Sequence, residues 1–228
     1  VANQDASVPD ARADSGPITQ DASLPDATAP DASVDAAVDA GPRIRATEWT
    51  QTFGSAGASA GQEHARAMAH TSTGDIVIAG PFSGSLTVGT TTLVSEGETD
   101  VFAIRMTAGG TPIWAMSFGS TASDTCRGVA VDADDNIYVT GQHRGVVSGG
   151  VALTHIDAQD LFVAKLSPDG TPLWAQAYGG TGLDTGNSLA VSQDHVFIVG
   201  AFTDDITLGE DRFESEAEQR SGFVMDLS

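Results

Sequence analysis

Gly170-Thr-Pro-Leu-Trp174-Ala-Gln-Ala-Tyr178-Gly179 decides the fold, because it has occurred once already as Gly110-Thr-Pro-Ile-Trp114-Ala-Met-Ser-Phe118-Gly119. Its second half stands earlier still, as Trp49-Thr-Gln-Thr-Phe53-Gly54, so the tryptophans are spaced 65 and 60 residues apart. Working outward, Ile76-Val-Ile-Ala-Gly80 returns as Ile137-Tyr-Val-Thr-Gly141 and Val196-Phe-Ile-Val-Gly200. Asp100-Val-Phe102-Ala-Ile-Arg-Met106 returns as Asp160-Leu-Phe162-Val-Ala-Lys-Leu166 and, less closely, as Ser221-Gly-Phe223-Val-Met-Asp-Leu227. Landmarks that recur in one order across three copies signal a repeat architecture.

Within a copy, large residues alternate with small or polar ones from Trp114 to Phe118, as in a strand with one buried face. Gly128 to Val131 reads as a second strand, and Asp132-Ala-Asp-Asp-Asn136 as a turn capped by its own side chains. Ile137 to Thr140 is apolar at nearly every position, which predicts burial on both faces, while Phe162, Ala164 and Leu166 share one face and Val163 and Lys165 the other. Four short antiparallel strands per copy describe a β-propeller blade. The expected fold is therefore all-β, with blades at approximately 49–113, 114–173 and 174–228 in a repeat domain spanning 46–228. Three blades are too few to close a ring, since single-chain propellers typically use four to eight. The copy at 174–228 stops before a Trp strand and the first begins with one, so the ring is expected to be completed by further blades or by a second copy of the chain.

Residues 1–45 read differently. The first 42 hold eight Asp, one Arg, five Pro, eleven Ala and no aromatic residue, and repeat the phrase Asp5-Ala-Ser-Val-Pro, Asp21-Ala-Ser-Leu-Pro, Asp31-Ala-Ser-Val. Such a stretch buries too little apolar surface to offset the entropy of ordering it, and it is expected to be a disordered acidic spacer. The whole chain carries 31 acidic and 10 basic residues, a formal charge of −21 with a single lysine, Lys165. That argues against nucleic acid as a partner, because phosphate neutralisation needs a surplus of Lys and Arg. No apolar run approaches the roughly twenty residues of a membrane span. One cysteine, Cys126, excludes a disulfide framework and a thiolate cluster.

Gly-Thr-Pro-Leu-Trp-Ala at Gly170, Asn136-Ile-Tyr-Val-Thr-Gly141 and Asp160-Leu-Phe-Val-Ala-Lys-Leu166 resemble the seven-bladed beta-propeller repeat of bacterial surface and secreted proteins. The resemblance runs from Trp49 to the end, departs from the pattern at Ser221, and implies a propeller outside the cytoplasm. It carries no catalytic residue to transfer. The spacer is similar to those behind the acylated cysteine of envelope lipoproteins, which implies a lipid anchor in a precursor.

The candidate chemistry is thin. Gly57-Ala-Ser59-Ala-Gly61 matches a nucleophile elbow, but the equivalent stretches vary and no helix follows, so no catalytic residue is assigned. By register, His70 takes the place of Val131 and Val191, His195 that of Asn136, and His143 that of Phe82 and Phe202 as a packing ring, while His64 and His155 fall in loops. No histidine pair has zinc-ligand spacing on one element, so no metal is expected there. Asp132, Asp134 and Asn136 alternate like a calcium loop but lack its glycine and bidentate glutamate, which favours a capped turn. Arg66 and Arg127 share a register with Asn187; they are expected to tie blade to blade through Asp100 or Asp160, the alternative being that they face a ligand across the axis. No cofactor is expected. The function expected is a non-catalytic, extracytoplasmic binding module on the cell envelope, its protein or glycan partner held by the loops Gly54 to Gln62, Gln142 to Gly145 and Thr203 to Asp205. The alternatives are a structural portion of a larger multi-repeat surface protein and a hydrolase-like enzyme at the propeller face.

Overall fold

A computed structural model describes residues 49–54, 63–147, 150–216 and 219–228. The expected spacer and the Ser59 motif lie outside these residues.

Strands β1 (Ala67–His70), β2 (Ile76–Phe82), β5 (Asp100–Met106) and β6 (Pro112–Phe118) form one antiparallel sheet in that order. Between β2 and β5 the chain makes a small hairpin of β3 (Ser85–Val88) and β4 (Thr91–Val94). The second sheet repeats the plan with β7 (Thr125–Val131), β8 (Ile137–His143), β9 (Asp160–Leu166) and β10 (Pro172–Tyr178). The third contains β11 (Thr185–Ser192), β12 (His195–Thr203) and β15 (Arg220–Leu227), with the hairpin β13 (Asp205–Leu208) and β14 (Asp211–Glu214) inserted. The central pairing holds one register throughout: Ile76 faces Met106, Ile137 faces Leu166, and Val196 faces Leu227.

The Trp strands that open the second and third sequence copies are the last strands of the preceding sheets, so copy and blade are offset by one strand. β6 and β10 close their sheets, and Gly54 bridges Thr87 as Gly179 bridges Thr207. The indole does the stacking. Trp49 Nε1 donates to Ala108 O and Trp114 Nε1 to Pro168 O, each at 3.0 Å, in the turn of the following blade. Gly110 and Gly170 lie under those rings at φ +82° and +85°, where a Cβ would stand 2.8 and 3.0 Å from indole carbons. Both the left-handed backbone and the lack of space require glycine, which explains the fixed Gly-Thr-Pro-x-Trp spacing. The Phe-Gly landmark has a similar cause: a Cβ at Gly119 or Gly179 would overlap the carboxylate of Asp100 or Asp160.

Blade faces bury one another. Val77, Ala79, Val101 and Ala103 of the first blade meet Val129, Ile137, Val139 and Phe162 of the second in one core. On the other face of the second blade, Tyr138, Leu161 and Val163 meet Leu189, Ile198 and Phe202 of the third. Ile137 to Thr140 is thus buried on both faces, as its composition predicts. Polar pairs at the inner strand ends also repeat: Arg105 with Asp75 at 2.8 Å, Lys165 with Asp132 at 3.4 Å, and His195 with Asp226 at 2.7 Å, the carboxylate standing on the outer strand in the last.

Candidate functional site

The innermost strands β1, β7 and β11 adjoin, β7 lying between the other two. In β7 the ladder slips between Cys126 and Gly128, and in β11 between Gly186 and Ser188, leaving Arg127 and Asn187 as the extra residues of two bulges. A bulge re-aims the side chain it frees. Here Arg127, Asn187 and Arg66 line one cavity of about 420 Å³ together with His64 and Ala65. Gly128 makes the close approach of the strands feasible, since a Cβ there would meet Ser188 Cα at 3.0 Å.

Arg127 also lines a second cavity of about 220 Å³ with Gln142, Gln159, Thr185, Thr203 and Arg220. Its floor is fixed by hydrogen bonds: Gln159 Nε2 donates to Thr185 Oγ1 at 3.0 Å, and Thr185 Oγ1 donates to Gln142 Oε1 at 3.0 Å. Arg144 Nε and Nη2 hold the Gln159 oxygen at 3.2 and 3.0 Å. Arg127 Nε is buried without a hydrogen-bond partner among the described residues. Burial, and then the charges of Arg66 and Arg220, lower the pKa of its guanidinium. Three cations are therefore gathered at one mouth of a strongly acidic chain. Gln142 and Thr203 belong to two of the loops singled out in the sequence.

The expectation that Arg66 and Arg127 tie the blades through Asp100 or Asp160 is not met. Those carboxylates turn to their own loops, Asp100 Oδ2 accepting from Glu96 N at 3.0 Å and Asp160 Oδ2 from Ile156 N at 2.7 Å, and the bulge aims Arg127 at the axis instead. The capped turn is as read: Asp132 Oδ1 accepts from Asp134 N at 3.0 Å and Asn136 N at 2.8 Å, and its Oδ2 accepts from Asn136 Nδ2 at 2.9 Å. His143 packs on Phe162 with centroids 6.4 Å apart, much as Phe82 packs on Phe102 at 6.3 Å. The contribution of Arg220 escaped sequence reasoning, because Thr99 and Gln159 hold its register in the other blades and no repeated type marks it.

Trp174 lines a cavity of about 550 Å³ with Asp226, Leu227 and Ser228, on the side where Ala108 and Pro168 cover Trp49 and Trp114. The cavity stands at the position of the turns that receive the other two indoles.

Two four-stranded antiparallel sheets and a three-stranded one, stacked face to face, with the indole of Trp114 bonded to the turn of the following sheet, define a β-propeller-type fold. Residues 113–142 match the beta-propeller repeat family, so the chain carries a repeat of that family, as the resemblance implied. An uncharacterized WD repeat-containing protein of Acanthamoeba polyphaga mimivirus is 30% identical over 129 residues, which cover 53% of this chain and 9% of that protein. A crystal structure of a protein of unknown function from Bacteroides caccae overlaps 69% of this chain and 60% of that one, with 12% identity and a TM-score of 0.27. The chain thus spans a small part of its WD-repeat relative and, like it, is built of repeats.

Proposed function

We propose that the chain is the ligand-binding portion of an extracytoplasmic β-propeller, carried at the bacterial cell envelope on its acidic spacer, and that it holds its partner without catalysis. The observation that carries this reading is the gathering of Arg66, Arg127 and Arg220 around two cavities that share Arg127, the second of them also lined by Gln142 and Thr203. Guanidinium groups recognise carboxylate and sulfate through paired N–H donors. A field of −21 charges repels a polyanion at long range, so the pocket suits an isolated acidic group on an otherwise neutral glycan or peptide.

Glycan and peptide arrays probed with the full chain and with Arg127→Gln test this. Retention of uronate- or sialate-type glycans or acidic-ended peptides is expected, weakened about tenfold or more by the substitution and by added salt. No retention, or retention indifferent to Arg127, would overturn the reading. A second reading, a structural portion of a larger multi-repeat protein, is favoured by one observation: Phe197, Val199 and Val224 lie exposed on the outer face of the third blade. In a longer parent chain further blades would cover that face.

A further inference from the structure

His143 closes β8 where the other blades carry Phe82 and Phe202, and a phenyl ring would satisfy the packing against Phe162. The imidazole brings two nitrogens to a place that is completely buried. Its Nδ1 lies 2.9 Å from Gly145 O. A carbonyl only accepts, so Nδ1 carries the hydrogen and Nε2 is left with a lone pair. That Nε2 is buried with no hydrogen-bond partner among the described residues, and the same is true of Asp160 Oδ1. A nitrogen left unpaired in the interior forfeits its bond to water with nothing in return.

Across from it stands His155, its ring 5.8 Å from that of His143, with Nδ1 2.8 Å from Asp160 Oδ2. One ligand atom from each of His143, His155 and Asp160 lies within 4.8 Å of the others. We propose that these three residues form a binding site for a divalent transition-metal ion of the zinc type. Two imidazoles and one carboxylate suit a borderline cation better than calcium, which wants six or more oxygens. A fourth position is left to water. Around zinc, at about 2.0–2.2 Å, ligand atoms stand about 3.3 Å apart, so the set must draw together. His143 and Asp160 are held on neighbouring strands, and His155, on the loop between them with its side chain 26% exposed, makes the movement. The cation replaces the proton now shared by His155 Nδ1 and Asp160 Oδ2, which passes to Nε2 or to solvent. The hydrogen bond from His143 Nδ1 to Gly145 O is the outer support that orients a ligating imidazole. Bound metal clips β8, β9 and the loop between them together beside Arg144. The signal was hidden in sequence because His143 and His155 lie 12 residues apart, on a strand and a loop rather than on one element.

The test uses the full chain, zinc chloride, and the variants His143→Phe and His155→Ser. Phenylalanine is what the sister blades carry, so the first variant is expected to fold. Zinc at a hundredfold excess over its Kd is expected to raise the Tm of the parent chain by about 5–10 °C, with one ion bound per chain by calorimetry. Neither variant should respond, and cobalt should give a visible d–d band only in the parent. Arg127→Gln should keep the response, which separates this site from the axial pocket. A zinc response equal in all variants would place binding on the acidic surface and overturn the proposal, as would the absence of any response. Should His143→Phe fail to fold, His155→Ser on the loop decides alone.

Discussion

Tyr138, Thr140 and Val163 of the middle blade are 6%, 0% and 0% exposed, whereas Phe197, Val199 and Val224, at the same register in the third blade, are 40%, 42% and 72% exposed. Strand pattern and pairing are alike in the two. What differs is whether another blade lies on top. Burial here belongs to the stack, not to the strand, as expected where each repeat contacts only its neighbours. The widest contrast should therefore come from placing a charge on the two faces. Val163→Asp buries a carboxylate between blades and should cost about 4 kcal/mol or more in urea unfolding, while Val224→Asp should change stability by less than about 0.5 kcal/mol. Equal losses would mean that the outer face of the third blade is covered in solution.

The junctions differ in their acids as well. Asp124, before β7, has both oxygens occupied, Oδ2 by Ser120 N and Oδ1 by Arg144 N at 3.0 Å. Asp184, before β11, has Oδ2 on Gly180 N at 2.9 Å, but its buried Oδ1 has no partner among the described residues. Burial first, then the charges of Asp160, Asp205 and Asp204, raise the pKa of Asp184 from 3.8 to about 7. The folded chain therefore holds a proton that the unfolded chain has lost. This contribution is fully present below pH 3.8 and disappears as pH rises through about 7. Asp184→Asn keeps the acceptor for Gly180 and removes the charge. It should stabilise the protein at pH 8 by roughly 2–4 kcal/mol relative to the parent, leave it nearly unchanged at pH 4, and flatten the fall of Tm between them. Asp124→Asn, by contrast, should gain nothing. A parallel pH profile for Asp184→Asn and its parent would end the argument for a protonated carboxyl at this junction.

The repeating layer was legible because the same constraint is met each time. Gly170 under Trp114, the carboxylate over Gly179 and the double burial of Ile137 to Thr140 leave fixed letters at fixed spacing. The hairpins β3–β4 and β13–β14 passed unread, although Leu86 and Val88 before Gly89 match Ile206 and Leu208 before Gly209, because the middle blade breaks the pattern and, among the described residues, has a bridge from Val147 to Leu153 in their place. The candidate site was legible only as a shared register of Arg66, Arg127 and Asn187. Its direction was not, since a bulge is a slip between two strands and shows only in their pairing. His143, His155 and Asp160 meet through tertiary structure and have no counterpart set in the other blades.

The smallest expected contrast lies between the Arg105–Asp75 and His195–Asp226 pairs. Arg105 in the first blade donates from Nε and Nη2 to Asp75 at 3.1 and 2.8 Å and from Nη1 to Pro168 O at 2.9 Å, so it joins its own strand pair to the turn of the next blade. Both partners of this ion pair are largely buried, with side chains 12% and 19% exposed. Asp226 in the third blade meets His195 alone among the described residues, and both are more than 40% exposed. Charge-assisted bonds shielded from water are worth more than exposed pairs, which typically contribute less than about 1 kcal/mol. Arg105→Ala should therefore cost about 1–2 kcal/mol, largely independent of salt, and Asp226→Ala less than about 0.5 kcal/mol, vanishing at high ionic strength. A salt-resistant cost at Asp226 as large as that at Arg105 would mean that the third blade is shielded on its open side after all.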